Sequence, residues 1–176
     1  MLIQVDVNKN IDGEDALKIL IVDDHPLIRE ALRHVLRVLD DKFDLLEAQN
    51  YAEAVAAAGS HADLNLILLD LGLPDIDGFD ALSKLREQYP SVPIVVLSAS
   101  EQTETVMRAI DAGAMGFIPK TSSNRLLIDA LRQVMSGIVF LPFEILQQHQ
   151  DASEAVVRRA AQAGDSSKAL THAISD

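Results

Sequence analysis

The sequence contains no cysteine, which excludes disulfides and any zinc or iron–sulfur site built on thiolates. Its histidines (His25, His34, His61, His149 and His172) are scattered, with no two at metal-ligand spacing. No apolar stretch approaches the length of a membrane span. Positive charge is also scarce. Fifteen Lys and Arg stand against 27 Asp and Glu, giving a net charge of −12 at pH 7. A surface this acidic repels nucleic-acid phosphates unless a basic patch forms locally. The only basic groupings are Arg158-Arg159 and the helically spaced Arg29, Arg33 and Arg37, neither of which reads as a DNA-binding surface. The opening MLIQVDVNKN lacks a basic region followed by an apolar core, so no secretory signal is expected and a cytoplasmic location is the default.

What is present is a soluble composition, 48% hydrophobic and 24% charged over 176 residues, enough for one domain with a core and some appendage. Short apolar runs rich in branched residues alternate with amphipathic segments. KILIV (18–22), FDLLEA (43–48), LNLILL (64–69), PIVVLS (93–98) and MGFIP (115–119) read as strands. Between and after them, 26–39, 51–58, 78–90, 101–113 and 123–137 read as helices. Pro26 starts the first, with Leu27, Ala31, Val35 and Val38 near helical spacing; Gly59 ends the second; Asp77 caps the third; Gly113 closes the fourth. Strictly alternating, strongly apolar strands imply an α/β fold, a parallel sheet covered on both faces. Residues 1–16 form a polar, acidic leader. Residues 143–176 form a helical tail too short for a second domain, with Asp151 and Glu154 as a capping box and Gly164 as a C-cap.

In an open parallel sheet, ligands bind beyond the carboxyl ends of the strands. The first strand runs into Asp23-Asp24, the third into Asp70, the fourth into Ser98 and the fifth into Lys120. Three carboxylates, a hydroxyl and an ammonium therefore converge on one edge. Carboxylates this close repel and need compensating positive charge. Lys120 supplies one, and an oxygen-rich, sulfur-free site suits a hard cation such as Mg²⁺. Metal and lysine together would stabilise a transferring phosphoryl group, and a carboxylate can be its nucleophile. Asp70, central in the set, is best placed for that role. Asp75 and Asp77 read as structural acids, and His25 as a helix-start residue rather than a ligand.

The segments KILIVDDHPLIREAL, LILLDLGLPDIDGFDAL, PIVVLSAS and AGAMGFIPK resemble the signature segments of bacterial response-regulator receiver domains. The His-Pro after the acid pair, GFIPK and the later GIVFLP most resemble the LuxR-type (NarL/FixJ-like) subfamily. The resemblance covers residues 17–142. It implies a five-stranded, doubly wound, flavodoxin-like sheet of order 2-1-3-4-5, and a phosphorylation-dependent switch rather than an enzyme with an external product. By position, Asp70 matches the phosphoacceptor, Asp24 the direct Mg²⁺ (or Mn²⁺) ligand, Asp23 its water-mediated neighbour and the Gly72 carbonyl the third protein ligand. Ser98 matches the hydroxyl that moves to the phosphoryl group, Lys120 the lysine that pairs with it, Phe117 the aromatic that turns inward with it, and Ala99 the small residue giving the phosphodonor access.

The implied partners are a sensor histidine kinase or phosphotransfer protein and, through the face of helix 1 and helix 5 or of helix 4, strand 5 and helix 5, a second copy of the chain. LuxR-type regulators continue into a helix-turn-helix domain. The tail here carries no basic recognition helix, so DNA is reached only through an output domain outside this sequence, unless the receiver stands alone and acts through protein contacts. An aspartyl-phosphate phosphatase of haloacid-dehalogenase type is disfavoured, because its D-x-D pattern after the first strand is replaced by adjacent aspartates.

Overall fold

A computed structural model of the chain describes residues 16–147. Within them β1 (Lys18–Val22), α1 (Pro26–Leu39), β2 (Asp44–Ala48), α2 (Tyr51–Ser60), β3 (Leu66–Asp70), α3 (Gly78–Gln88), β4 (Ile94–Ser98), α4 (Thr103–Asp111), β5 (Gly116–Pro119) and α5 (Asn124–Met135) alternate strictly. The strands form one sheet of order β2-β1-β3-β4-β5, parallel throughout. The strand pattern led to the parallel sheet, and the resemblance to this flavodoxin-like order. The chain divides into two compact units, Met1–Leu141 and Pro142–Asp176. In the second, the described residues make a helical turn, with the Leu146 amide 3.3 Å from the Pro142 carbonyl. The Asp151–Glu154 capping box and the Gly164 cap lie outside the described residues, as does nearly all of the acidic leader.

Every residue of β3 and β4 is buried, which is why these strands read as unbroken apolar runs rather than as alternating ones. Ile19, Ile21, Leu66, Leu68, Val95, Leu97 and Ile118 face one layer, where Leu32, Val35 and Leu36 of α1 and Leu127, Leu131 and Val134 of α5 pack. The intervening residues, among them Leu20, Ile67, Leu69, Val96 and Phe117, are buried too and by strand alternation face the opposite layer.

The expected apolar stripe of α1 needs correction. Leu27 and Val38 are 78% and 65% exposed. The helix instead packs through Ile28, Leu32, Val35, Leu36 and Leu39, and at about 100° per residue Leu27 and Val38 lie well round from the centre of that stripe. Gly59 does not end α2 either. The helix continues to Ser60 and is closed at His61, whose Nδ1 stands 2.7 Å from the Ala57 carbonyl oxygen. Gly113 does end α4, with φ of 99°.

The loop between β3 and α3 is tied at three points. Asp77 caps α3, accepting from the Phe79 and Asp80 amides. Asp75, also expected to be structural, accepts from the Tyr51 and Ala52 amides at the start of α2, at 2.9 and 3.1 Å. The Tyr51 amide leads in holding the Asp75 carboxyl below its ordinary range; desolvation opposes it and the Ala52 amide adds to it. Gly78 lies so close to the chain leaving β3 that an added Cβ would stand 2.1 Å from the Leu71 carbonyl oxygen. Gly78→Ala must therefore displace the loop that follows Asp70. It is expected to cost about 1–3 kcal/mol, against about 1 kcal/mol for loss of the Asp77 cap in Asp77→Ala, both read from urea denaturation.

Candidate functional site

The polar strand ends meet as expected. Asp23 directly follows β1, and Asp70 and Ser98 are the last residues of β3 and β4; all three are buried. Lys120 directly follows β5. Its ammonium lies 2.8 Å from Asp23 Oδ2 and 3.1 Å from Asp70 Oδ1, and its amide donates to the Ser98 carbonyl at 2.7 Å. Asp70 Oδ1 also accepts from the Gly72 amide at 3.0 Å. Asp70 Oδ2 is buried and accepts no hydrogen bond among the described residues. The Ser98 hydroxyl accepts from the Ser100 amide at 3.1 Å, Ala99 is exposed next to it, and Phe117 is fully buried on β5.

One participant was not anticipated. His25 occupies the cap position of α1, as a helix-start residue should, but its ring turns back onto the acids. Nδ1 lies 2.9 Å from Asp23 Oδ1 and 3.0 Å from Asp24 Oδ1. One donor atom from each of Asp23, Asp24, His25 and Asp70 lies within 4.8 Å of the others. The sequence signal for this was the placement of His25 between the acid pair and Pro26. Proline restricts the preceding residue to extended backbone, and His25 has φ −90° and ψ 110°.

Residues 19–132 match the response regulator receiver domain family. The chain belongs to that family. It is 41% identical over 130 residues to the glycerol metabolism activator of Pseudomonas putida, covering 74% of this chain and 59% of that protein. It is 35% identical over 131 residues to the nitrate/nitrite response regulator protein NarL of Escherichia coli strain K12, covering 74% and 60%. The chain thus spans about three fifths of the length of these curated relatives. Among solved structures, a LuxR family DNA-binding response regulator from Silicibacter pomeroyi matches with a TM-score of 0.65 and 32% identity, over 73% of this chain and 98% of that one.

The acidic pocket of this receiver fits a hard divalent cation. Its carboxylate oxygens converge, and the buried Asp70 Oδ2 has an acceptor site to spare. The helically spaced arginines are partly engaged within the domain: Arg29 donates to the Asp23 carbonyl at 2.7 Å, and Arg33 pairs with Glu47 at 3.1 Å. Among the described residues, no helix is long and apolar enough to cross a membrane.

Burial acts to lower the Lys120 pKa, but the Asp23 hydrogen bond and the Asp70 and Asp23 charges outweigh it, so the net shift is upward from 10.5. A raised folded-state pKa stabilises the fold fully below the unfolded value, and this contribution is lost as pH rises through the folded one. Lys120→Met, measured without divalent ions, is expected to cost about 3 kcal/mol at neutral pH by leaving two buried carboxylates uncompensated. The gap to wild type should close in alkaline denaturation series above pH 10.5.

Proposed function

We propose that this receiver is the phosphoacceptor switch of a two-component phosphorelay, and that Asp70 takes the phosphoryl group. The observation that carries the reading is Asp70 itself. One carboxylate oxygen is held by Lys120 and the Gly72 amide, while the other accepts no hydrogen bond among the described residues of the acidic pocket. A carboxylate held in this way is oriented to act as a nucleophile.

The donor is a phosphohistidine of a sensor kinase or phosphotransfer protein, or a small acyl phosphate. A carboxylate oxygen of Asp70 attacks phosphorus, the new O–P bond forms, and the donor's P–N or P–O bond breaks with its electron pair staying on the donor. Water later attacks the same phosphorus and releases inorganic phosphate, restoring the carboxylate. Asp24, Asp70 and the Gly72 carbonyl would hold Mg²⁺ (or Mn²⁺), with Asp23 acting through water. When bound, the cation neutralises charge on the phosphoryl oxygens. Lys120 moves from its ion pair to a phosphoryl oxygen, and the Ser98 hydroxyl donates to another. Exposed Ala99 leaves the donor a path.

Phosphorylation adds about −1.5 to −2 charges. Ser98 and Lys120 are joined through the amide–carbonyl hydrogen bond between β4 and β5, so their response reaches Phe117 and the face formed by α4, β5 and α5. Population of a second arrangement of that face is the output. The names of the relatives, an activator and a DNA-binding response regulator, support transcription regulation through an output domain outside this chain. Homodimerisation of the receiver and a cytoplasmic setting fit the same reading.

Incubation with labelled acetyl phosphate and Mg²⁺ tests the assignment. Wild type is expected to incorporate label that EDTA prevents and alkali removes, and Asp70→Asn is expected to stay at background. Equal incorporation by Asp70→Asn would overturn it.

A further inference from the structure

We propose that His25 is a direct ligand of the divalent site through Nδ1, so that the pocket holds a later first-row ion such as Ni²⁺ more tightly than Mg²⁺. The inference rests on the divalent site proposed above and extends it from oxygen donors to a mixed nitrogen and oxygen set.

The donor spacing supports coordination. Around an octahedral ion with bonds of about 2.1 Å, neighbouring donors stand about 3.0 Å apart and opposite ones about 4.2 Å. His25 Nδ1 lies 2.9 Å from Asp23 Oδ1, 3.0 Å from Asp24 Oδ1 and 3.9 Å from Asp70 Oδ2. The separation from Asp24 Oδ1 matches adjacent positions, and that from Asp70 Oδ2 lies between adjacent and opposite. That from Asp23 Oδ1, whose group reaches the ion through water, is a hydrogen-bond distance. Independently, Asp70 is only 3% exposed, and its Oδ2 accepts no hydrogen bond among the described residues. A buried carboxylate oxygen without a donor is costly, and a cation shared with the imidazole removes that cost.

The backbone aims the ring. The His25 amide donates to Asp23 Oδ1 at 2.8 Å, and Pro26 keeps residue 25 extended. The ring makes no capping hydrogen bond to α1, so helix initiation does not account for its position. Imidazole nitrogen favours nickel, copper and zinc, whereas Mg²⁺ prefers oxygen and water. The alternative is that the ring merely donates a hydrogen bond to Asp23 and fills the space where the ion would sit. The two cases predict opposite effects of removing it.

Calorimetric titration of the full chain with Ni²⁺ and with Mg²⁺ separates them, using wild type, His25→Ala and Asp70→Asn. His25→Ala is expected to weaken Ni²⁺ by about tenfold or more while changing Mg²⁺ by less than about threefold. Retained Mg²⁺ binding also reports that the variant is folded. Asp70→Asn is expected to weaken both ions. Pulsed EPR of bound Mn²⁺ should show nitrogen-14 coupling in wild type and none in His25→Ala. An unchanged Ni²⁺-to-Mg²⁺ ratio in His25→Ala, or tighter binding of both ions, would overturn the ligand assignment and leave the divalent site intact. Failure of wild type to bind either ion, or indifference of both to Asp70→Asn, would overturn the site itself and this inference with it.

Discussion

Lys120 reaches from the end of β5 across the ends of β4 and β3 to Asp23, at the end of β1, and touches Asp70 on the way. Its partners are almost wholly removed from water, with side-chain exposures of 0% and 4%. Each such contact is worth about 5–6 kcal/mol in Coulomb attraction at an effective dielectric of about 20, and desolvation of the ions takes back a comparable amount. The arrangement therefore adds little net stability, but neither side of it can be removed cheaply. A buried acid pair can persist at the sheet edge only because a cation is fixed beside it. Lys120 offsets only one of the three carboxylate charges of Asp23, Asp24 and Asp70, so whatever binds there enters a pocket that still carries excess negative charge.

The rest of the edge is built to hold Asp70 still. Its carboxylate is anchored by the Gly72 amide, and the following loop is fastened by Asp75 to α2 and by Asp77 to α3. The contact of Gly78 with Leu71 leaves no room for adjustment. On the other side, toward β4 and β5, the groups are side chains of single residues at strand ends.

How far the residues alone disclosed this follows from what each feature depends on. The strands were legible because burial on both faces demands unbroken branched apolar runs, as in LILLD and IVVLS. Asp23, Asp24, Asp70, Ser98 and Lys120 were legible because a parallel sheet delivers its strand ends to one edge. The packing stripe of α1 was not, since that helix carries apolar residues over a wider arc than α5 and the sheet cover, and Leu27 and Val38 are left outside. Gly59 misled because a glycine near a helix end can sit inside the helix when another group, here His61, closes it. The placement of His25 before Pro26 restricts its backbone, but the final turn of the ring onto the acids also depends on a side-chain rotation that spacing does not encode.

After α5 the chain turns at Gly137, with φ of 83°, and comes back alongside β5. Phe140 pairs in parallel with Gly116, its amide bonding to the Met115 carbonyl and its carbonyl accepting from the Phe117 amide. These bonds occupy backbone groups on the outer side of β5 that would otherwise invite a strand from another molecule. With that margin closed by the chain's own return, the sheet cannot be extended from β5 by a neighbour lying along it. Contacts made on this side of the domain must use side chains, which can be discriminating, and not the backbone ladder, which is not.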